Sequence, residues 1–188
     1  MEGWSAGSVP DARGGRRAEA AGSAGSRPTR GMPLQTGAMS GQPGRLVVEL
    51  QRDLPAPRER VFAALTERWA LARWWGPAGF TTPVIELDLR VAGRYRFLMQ
   101  PPQGEAFHCT GEFLEITPPS RLAYTFRWEE PDPDDRDTVV RLSLDSSGDR
   151  TALSLSHGDF ATAARLELHR DGWADSLVKL RGLLASGS

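Results

Sequence analysis

Three histidines, one cysteine and a set of carboxylates are the side chains of this 188-residue chain that could do chemistry. His157 ends a strand pattern whose alternate residues face inward, and His169 lies on the apolar stripe of a long helical pattern. The two could meet across a cavity, where a neutral imidazole acts as a general base or orients a polar group of a ligand. The competing role is structural, with each ring capping the sheet or satisfying a buried carbonyl. His108 and Cys109 are strand neighbours and so point to opposite faces, which prevents joint metal ligation without a bulge. No other Cys or His lies at ligand spacing, so neither a metal nor a cofactor is expected. Ser156-His157-Asp159 is not a triad, because adjacent strand positions diverge. Glu86 and Asp88 share a strand face and could build an acid–base pair with Glu112. Their alternation with Ile85, Leu87 and Leu89 instead places them on a solvent face. The acidic run from Glu129 to Asp137 lacks the glycine and terminal glutamate of a calcium loop. It reads as a solvated hairpin loop, open to a basic partner.

Trp74 and Trp75 mark where a ligand site would form. Neighbouring positions face about 100° or 180° apart on a helix or strand, so two adjacent indoles cannot both enter one core. A buried indole N–H also needs a partner, which suits the rim of a cavity better than dry packing. The pair follows a short helical pattern from Arg68, and Gly76-Pro77 stops that helix. Trp74 then packs on the helix face, and Trp75 with Gly76-Pro77 forms part of a mouth.

The elements that position these residues are legible from periodicity. Arg45 to Asp53 alternates as a strand, Pro57 stands at a first helical position, and Val61, Phe62 and Leu65 make an apolar stripe. Strands follow over Thr82–Arg90, Gly93–Gln100, Phe107–Ile116 and Arg121–Trp128, separated by Pro- and Gly-rich turns. Thr138–Asp145 and Arg150–His157 make a hairpin through Ser146-Ser147-Gly148. The longest helix runs from about Ala161 to Ala185, with Leu166, His169, Trp173, Leu177, Leu180 and Leu184 at spacings of three or four. Only the concave face of a curved sheet is large enough to receive that stripe. Gly172 weakens the helix by about 1 kcal/mol relative to alanine, which points to a close approach of sheet or ligand. The fold class is therefore α+β: six or seven antiparallel strands curved around a C-terminal helix, with two short helices after the first strand.

Composition bounds the rest. At 39% hydrophobic, 25% charged and a formal net charge of -1, the chain fits one soluble domain with an appendage and no nucleic-acid partner. A lone Cys109 excludes an internal disulfide and fits a reducing compartment. No apolar run reaches the roughly 20 residues of a membrane span, and Met1-Glu2-Gly3-Trp4 lacks the basic and apolar regions of a secretory signal. The expected location is the cytoplasm. Residues 1–44 are dominated by Gly, Ala, Ser, Arg and Pro without periodicity. They are expected to be a disordered tail or upstream sequence ahead of a start at Met32 or Met39, an arginine-bearing targeting segment fitting only partly, with the domain proper spanning 45–188.

Several short motifs recur in a fixed order: Ala56-Pro57-x-x-x-Val61-Phe62, Trp74-Trp75-Gly76-Pro77, Asp88-Leu89-Arg90-x-x-Gly93-x-Tyr95-x-Phe97, Gly111-Glu112-Phe113-x-Glu115-Ile116-x-Pro118-Pro119-x-Arg121-Leu122, Thr151-x-Leu153-x-Leu155-x-His157 and His169-x-x-Gly172-Trp173. With them the sequence resembles the SRPBCC superfamily of START-related helix-grip proteins, in its branch similar to the activator of heat-shock-protein-90 ATPase. Ala92 departs from the pattern, since relatives commonly carry a second glycine there. The additional N-terminal chaperone-binding domain of the eukaryotic activators has no counterpart in these motifs. The resemblance implies a fold that hosts ligand carriers, cyclases, hormone sensors and co-chaperones.

Three functions from different classes fit the sequence. The first is binding of a small apolar or aromatic molecule between the final helix and the sheet, with Trp74, Trp75, Phe80, Tyr95, Phe97, Phe113, Tyr124, Phe126, His169 and Trp173 as the candidate lining. The second is a chaperone-linked module, implied by the resemblance alone. The third is a cyclase- or hydrolase-type enzyme using His157 or His169. A monomer and a homodimer are both compatible with the sequence.

Overall fold

The computed structural model describes residues 44–186, so the expectations for residues 1–43 lie outside the described residues. Ten elements follow in order: β1 (Val47–Leu54), α1 (Arg58–Thr66), α2 (Arg68–Trp74), β2 (Thr81–Leu87), β3 (Arg94–Gln100), β4 (Phe107–Thr117), β5 (Arg121–Trp128), β6 (Thr138–Ser147), β7 (Arg150–Gly158) and α3 (Ala163–Ala185). The seven strands form one antiparallel sheet in the order β1-β7-β6-β5-β4-β3-β2. The chain passes from one edge of the sheet to the other through α1 and α2. All later strands pair with their sequence neighbours until β7 returns to β1.

Alternation decides which face is buried. Leu50, Leu155, Leu142 and Leu122 lie opposite one another across β1, β7, β6 and β5. Val48, His157, Val140 and Tyr124 make the next inward row. Register shifts in β2 and in β4 between Phe113 and Glu115 add the local twist that curves the sheet. Gly111 is dictated by packing, because a Cβ there would stand 1.9 Å from the Thr125 carbonyl and 2.7 Å from the Tyr95 ring.

The helix α3 buries Leu166, His169, Trp173, Ser176, Leu177, Leu180 and Leu184, the stripe foreseen from spacing with one serine added. Thr162 caps its start, its hydroxyl accepting from the Arg165 amide at 3.2 Å.

Three local readings change. Pro57 is the residue before the first turn of α1, with φ −59° and ψ 150°, and Arg58 takes the first helical position. Ser146 and Ser147 belong to β6, because Ser147 pairs with Arg150 and leaves only Gly148-Asp149 as the turn, with Gly148 at φ +63°. The acidic loop between β5 and β6 is not merely solvated. It folds onto Arg165 of α3, whose Nε donates to Asp134 at 2.8 Å and whose other nitrogen binds Asp132.

Candidate functional site

His157 sits wholly buried on the inner face of β7. The Trp173 indole N–H donates to its Nδ1 at 2.9 Å. An indole nitrogen only donates, so Nδ1 carries the lone pair and the proton lies on Nε2. That nitrogen reaches the Thr138 hydroxyl at 2.8 Å, and Thr138 passes its own proton to the Phe126 carbonyl at 3.2 Å. Both ring nitrogens of His157 and the Thr138 hydroxyl are thus partnered, and the ring is neutral. Burial, with the neighbouring His169, holds its pKa well below the usual imidazole range.

His169 lies one ring away, its centroid 5.2 Å from that of His157. Its Nδ1 donates to the Arg165 carbonyl one helical turn earlier, at 2.8 Å. The lone pair therefore sits on Nε2, which no group among the described residues engages. The side chain is 9% exposed, and burial lowers its pKa. The two histidines meet as their spacing predicts, but only His169 keeps a nitrogen for another molecule.

A narrow cleft of about 50 Å³ opens beside that nitrogen, between the first half of α3 and the sheet. Trp75, Trp128, Phe126 and Trp173 supply its aromatic walls, and Gly172, Leu168 and Ser176 its helical side. Trp75 and Trp173 meet edge to face with centroids 5.5 Å apart, one of the geometries favoured between aromatic rings. A larger open groove of about 360 Å³ adjoins it and shares Trp128 and Leu168. The β3–β4 turn, the acidic loop and the start of α3 form that groove.

The rim of the cleft is clamped to α3. Lys179, the one lysine of the chain, directs Nζ at the carbonyls of Gly76 (3.1 Å), Phe80 (3.2 Å) and Trp75 (3.4 Å). Asp175, one turn earlier, accepts from the Ala78 amide at 3.1 Å. Partial burial lowers the Lys179 pKa, against the pull of Asp175. Gly76 holds φ at +93°, and a Cβ there would stand 2.9 Å from the Met99 methyl, so the turn requires glycine.

Trp75, Phe126, His169 and Trp173 of the candidate lining border the cleft, and so does His157. The remaining candidates do not. Trp74 is 1% exposed and its indole N–H donates to the Ala64 carbonyl at 2.8 Å. Phe80 packs against Phe107. Tyr95, Phe97, Phe113 and Tyr124 pack together at the sheet centre, and the Tyr95 hydroxyl donates to the Thr125 carbonyl at 2.8 Å. Burial pushes both tyrosine hydroxyls well above their usual pKa and the Cys109 thiol up to about 12. Glu86 and Asp88 face solvent beside arginines, as alternation foresees. Among the described residues no acidic, His and Cys groups gather as a metal site, and no helix is long and apolar enough to cross a membrane.

Leu168 and Ser176 of the cleft, Thr138 behind it and Lys179 at its rim were not foreseen. Leu168 stands beside the apolar stripe rather than on it, and a lysine at helical spacing reads as surface. The available signal for Lys179 was its rarity, since every other basic Lys or Arg position holds arginine.

No curated protein matches this chain. Solved structures do. A protein from Chromobacterium violaceum is 32% identical, with 73% of this chain and 96% of that chain covered and a TM-score of 0.69. An AHSA1 protein from Silicibacter pomeroyi is 27% identical, covering 76% of this chain and 99% of that chain, with a TM-score of 0.67. A protein from Nitrosomonas europaea is 26% identical, covering 77% of this chain and 97% of that chain, with a TM-score of 0.65. Residues 55–185, from the residue after β1 to the end of α3, match one family, and the chain belongs to it: Activator of Hsp90 ATPase homolog 1-like protein.

Proposed function

We propose that this domain binds a small apolar or aromatic molecule, whose body lies in the groove and whose tip enters the aromatic cleft beside His169. The observation that carries the reading is the His169 Nε2 lone pair, left unengaged on a buried side chain among aromatic rings. Ligand sites are mostly apolar hollows with a few convergent polar groups, and about 300 Å³ is their lower size. The groove reaches that size. The cleft alone does not. A general-base role falls to His169 rather than His157, because both ring nitrogens of His157 are already engaged. Docking to a chaperone draws its support from the family description alone.

A panel of aromatic and aliphatic compounds, followed by thermal shift and by tryptophan fluorescence, tests the reading. Ligands are expected to raise the melting temperature and to quench Trp75 or Trp173. Leu168→Trp, which places bulk where groove and cleft join, is expected to remove at least about ten-fold in affinity. A panel without a single stabilising compound would sink the proposal.

A further inference from the structure

The polar wall of the groove is dominated by acceptors. Glu105, Glu130, Asp132 and Asp135 bring four carboxylates to it, against a single guanidinium, Arg165. That guanidinium is already committed: its side chain is 12% exposed, it binds Asp132 and Asp134, and Asp135 lies 3.3 Å from Nε. The other basic side chain on the wall, His108, stands 3.8 Å from Glu129. The apolar walls are Phe107 and Trp128, edge to face at 5.2 Å, and aromatic faces attract cations. At the inner end an independent feature points the same way. His169 is 9% exposed and its unengaged Nε2 is an acceptor, because Nδ1 carries the proton. Acceptors from the β3–β4 turn and the acidic loop thus line a groove whose one guanidinium is spent, and the His169 acceptor stands in the cleft that adjoins it.

Resting on the ligand-binding reading above, the geometry points to an organic cation with N–H donors, an amine or amidine on an apolar body, as the ligand class of this site. Its positive charge meets the carboxylates and ring faces, and an N–H supplies the donor that Nε2 lacks. A carboxylic acid of the same shape meets like charge. A neutral analogue leaves Glu105 and Glu130 without a counter-charge.

Calorimetric titration of the full chain with naphthylmethylamine, ethylnaphthalene and naphthoate tests this. The amine is expected to bind at least about ten-fold more tightly than ethylnaphthalene, with naphthoate weakest. Salt near 0.5 M should narrow the gap, since roughly molar salt shortens screening to a few ångströms. Glu105 and Glu130 form no ion pair among the described residues, so E105Q/E130Q removes charge without breaking a contact of the fold. It should weaken the amine several-fold and leave ethylnaphthalene unchanged. His169→Phe keeps the ring and removes the acceptor, and should act in the same direction in a protein shown to be folded by its thermal transition. Equal affinity for amine and neutral compound, tighter naphthoate, or no binding of the amine overturns the inference. Neutral compounds that still bind in those cases leave the ligand-binding reading standing; silence from these three and from the wider panel ends both.

Discussion

Ala92 holds φ at +62° in the turn between β2 and β3, and its amide donates to the Phe113 carbonyl at 2.8 Å. The left-handed conformation costs an L-residue roughly 1–2 kcal/mol, and glycine avoids that at the expense of a more flexible unfolded chain. Ala92 is exposed, so its methyl contributes no burial to offset the strain. Ala92→Gly should therefore stabilise the fold by about 0.5–1 kcal/mol and raise the melting temperature by roughly 2–4 °C. Differential scanning calorimetry decides it, and a lower melting temperature would remove strain as the explanation. The departure of Ala92 from the motif pattern puts only the local turn in question, and the left-handed backbone there is a finding of the structure. The buried relay from Trp173 through His157 to Thr138 was half visible. Alternation placed His157 inward and helical spacing placed Trp173 inward. Thr138 could not be chosen, because β6 and β7 cross in register only once their turn is known to be two residues long.

Among the elements, α3 does two jobs: its first half walls the cleft, and its second half holds the Trp75–Phe80 turn through Lys179. An ammonium is compact and meets converging carbonyls with three donors, whereas a planar guanidinium presents a fork. Lys179→Met should cost about 1–2 kcal/mol, the range of a partly solvated charged hydrogen bond. It should also speed amide exchange at Gly76, Gly79 and Phe80, and Lys179→Arg should not restore either. Unchanged exchange in the turn would show that the aromatic packing of Trp75 is enough to hold it. The strands and helices themselves were legible because their alternation and 3.6-residue spacing are local. What was not legible is contact between segments far apart in sequence. Arg165 gathering Asp132 and Asp134, and Lys179 gathering the carbonyls after Trp75, leave no trace in spacing. The aromatic residues of β3, β4 and β5 show the reverse difficulty, since core and cavity lining carry the same pattern, and only packing divides Phe126 from Phe97.

At the scale of the whole molecule, burying two neutral histidines makes stability depend on pH below the ordinary imidazole value. Both folded-state values lie below the ordinary 6.5, chiefly through burial. Below pH 6.5 the unfolded chain takes up protons that the folded chain refuses, so stability is complete above that pH and falls as pH drops. The limit is about 1.4 kcal/mol per pH unit for each histidine. His157 should approach it more nearly, being deeper, while the hydrogen bond to the Arg165 carbonyl and then the nearby Asp135 partly oppose the lowering at His169. The ion-paired Asp53, Glu129 and Asp134 have lowered values and act only below about pH 4. Urea unfolding between pH 7.5 and 5 should therefore lose roughly 1–2 kcal/mol. His157→Gln can still accept from Trp173 and donate to Thr138, and it does not titrate, so it should flatten much of that slope. A wild-type protein equally stable at pH 7.5 and 5 would refute the buried neutral pair. The same lowering keeps His169 unprotonated near neutral pH, which is the state in which its Nε2 can accept a hydrogen bond from a ligand.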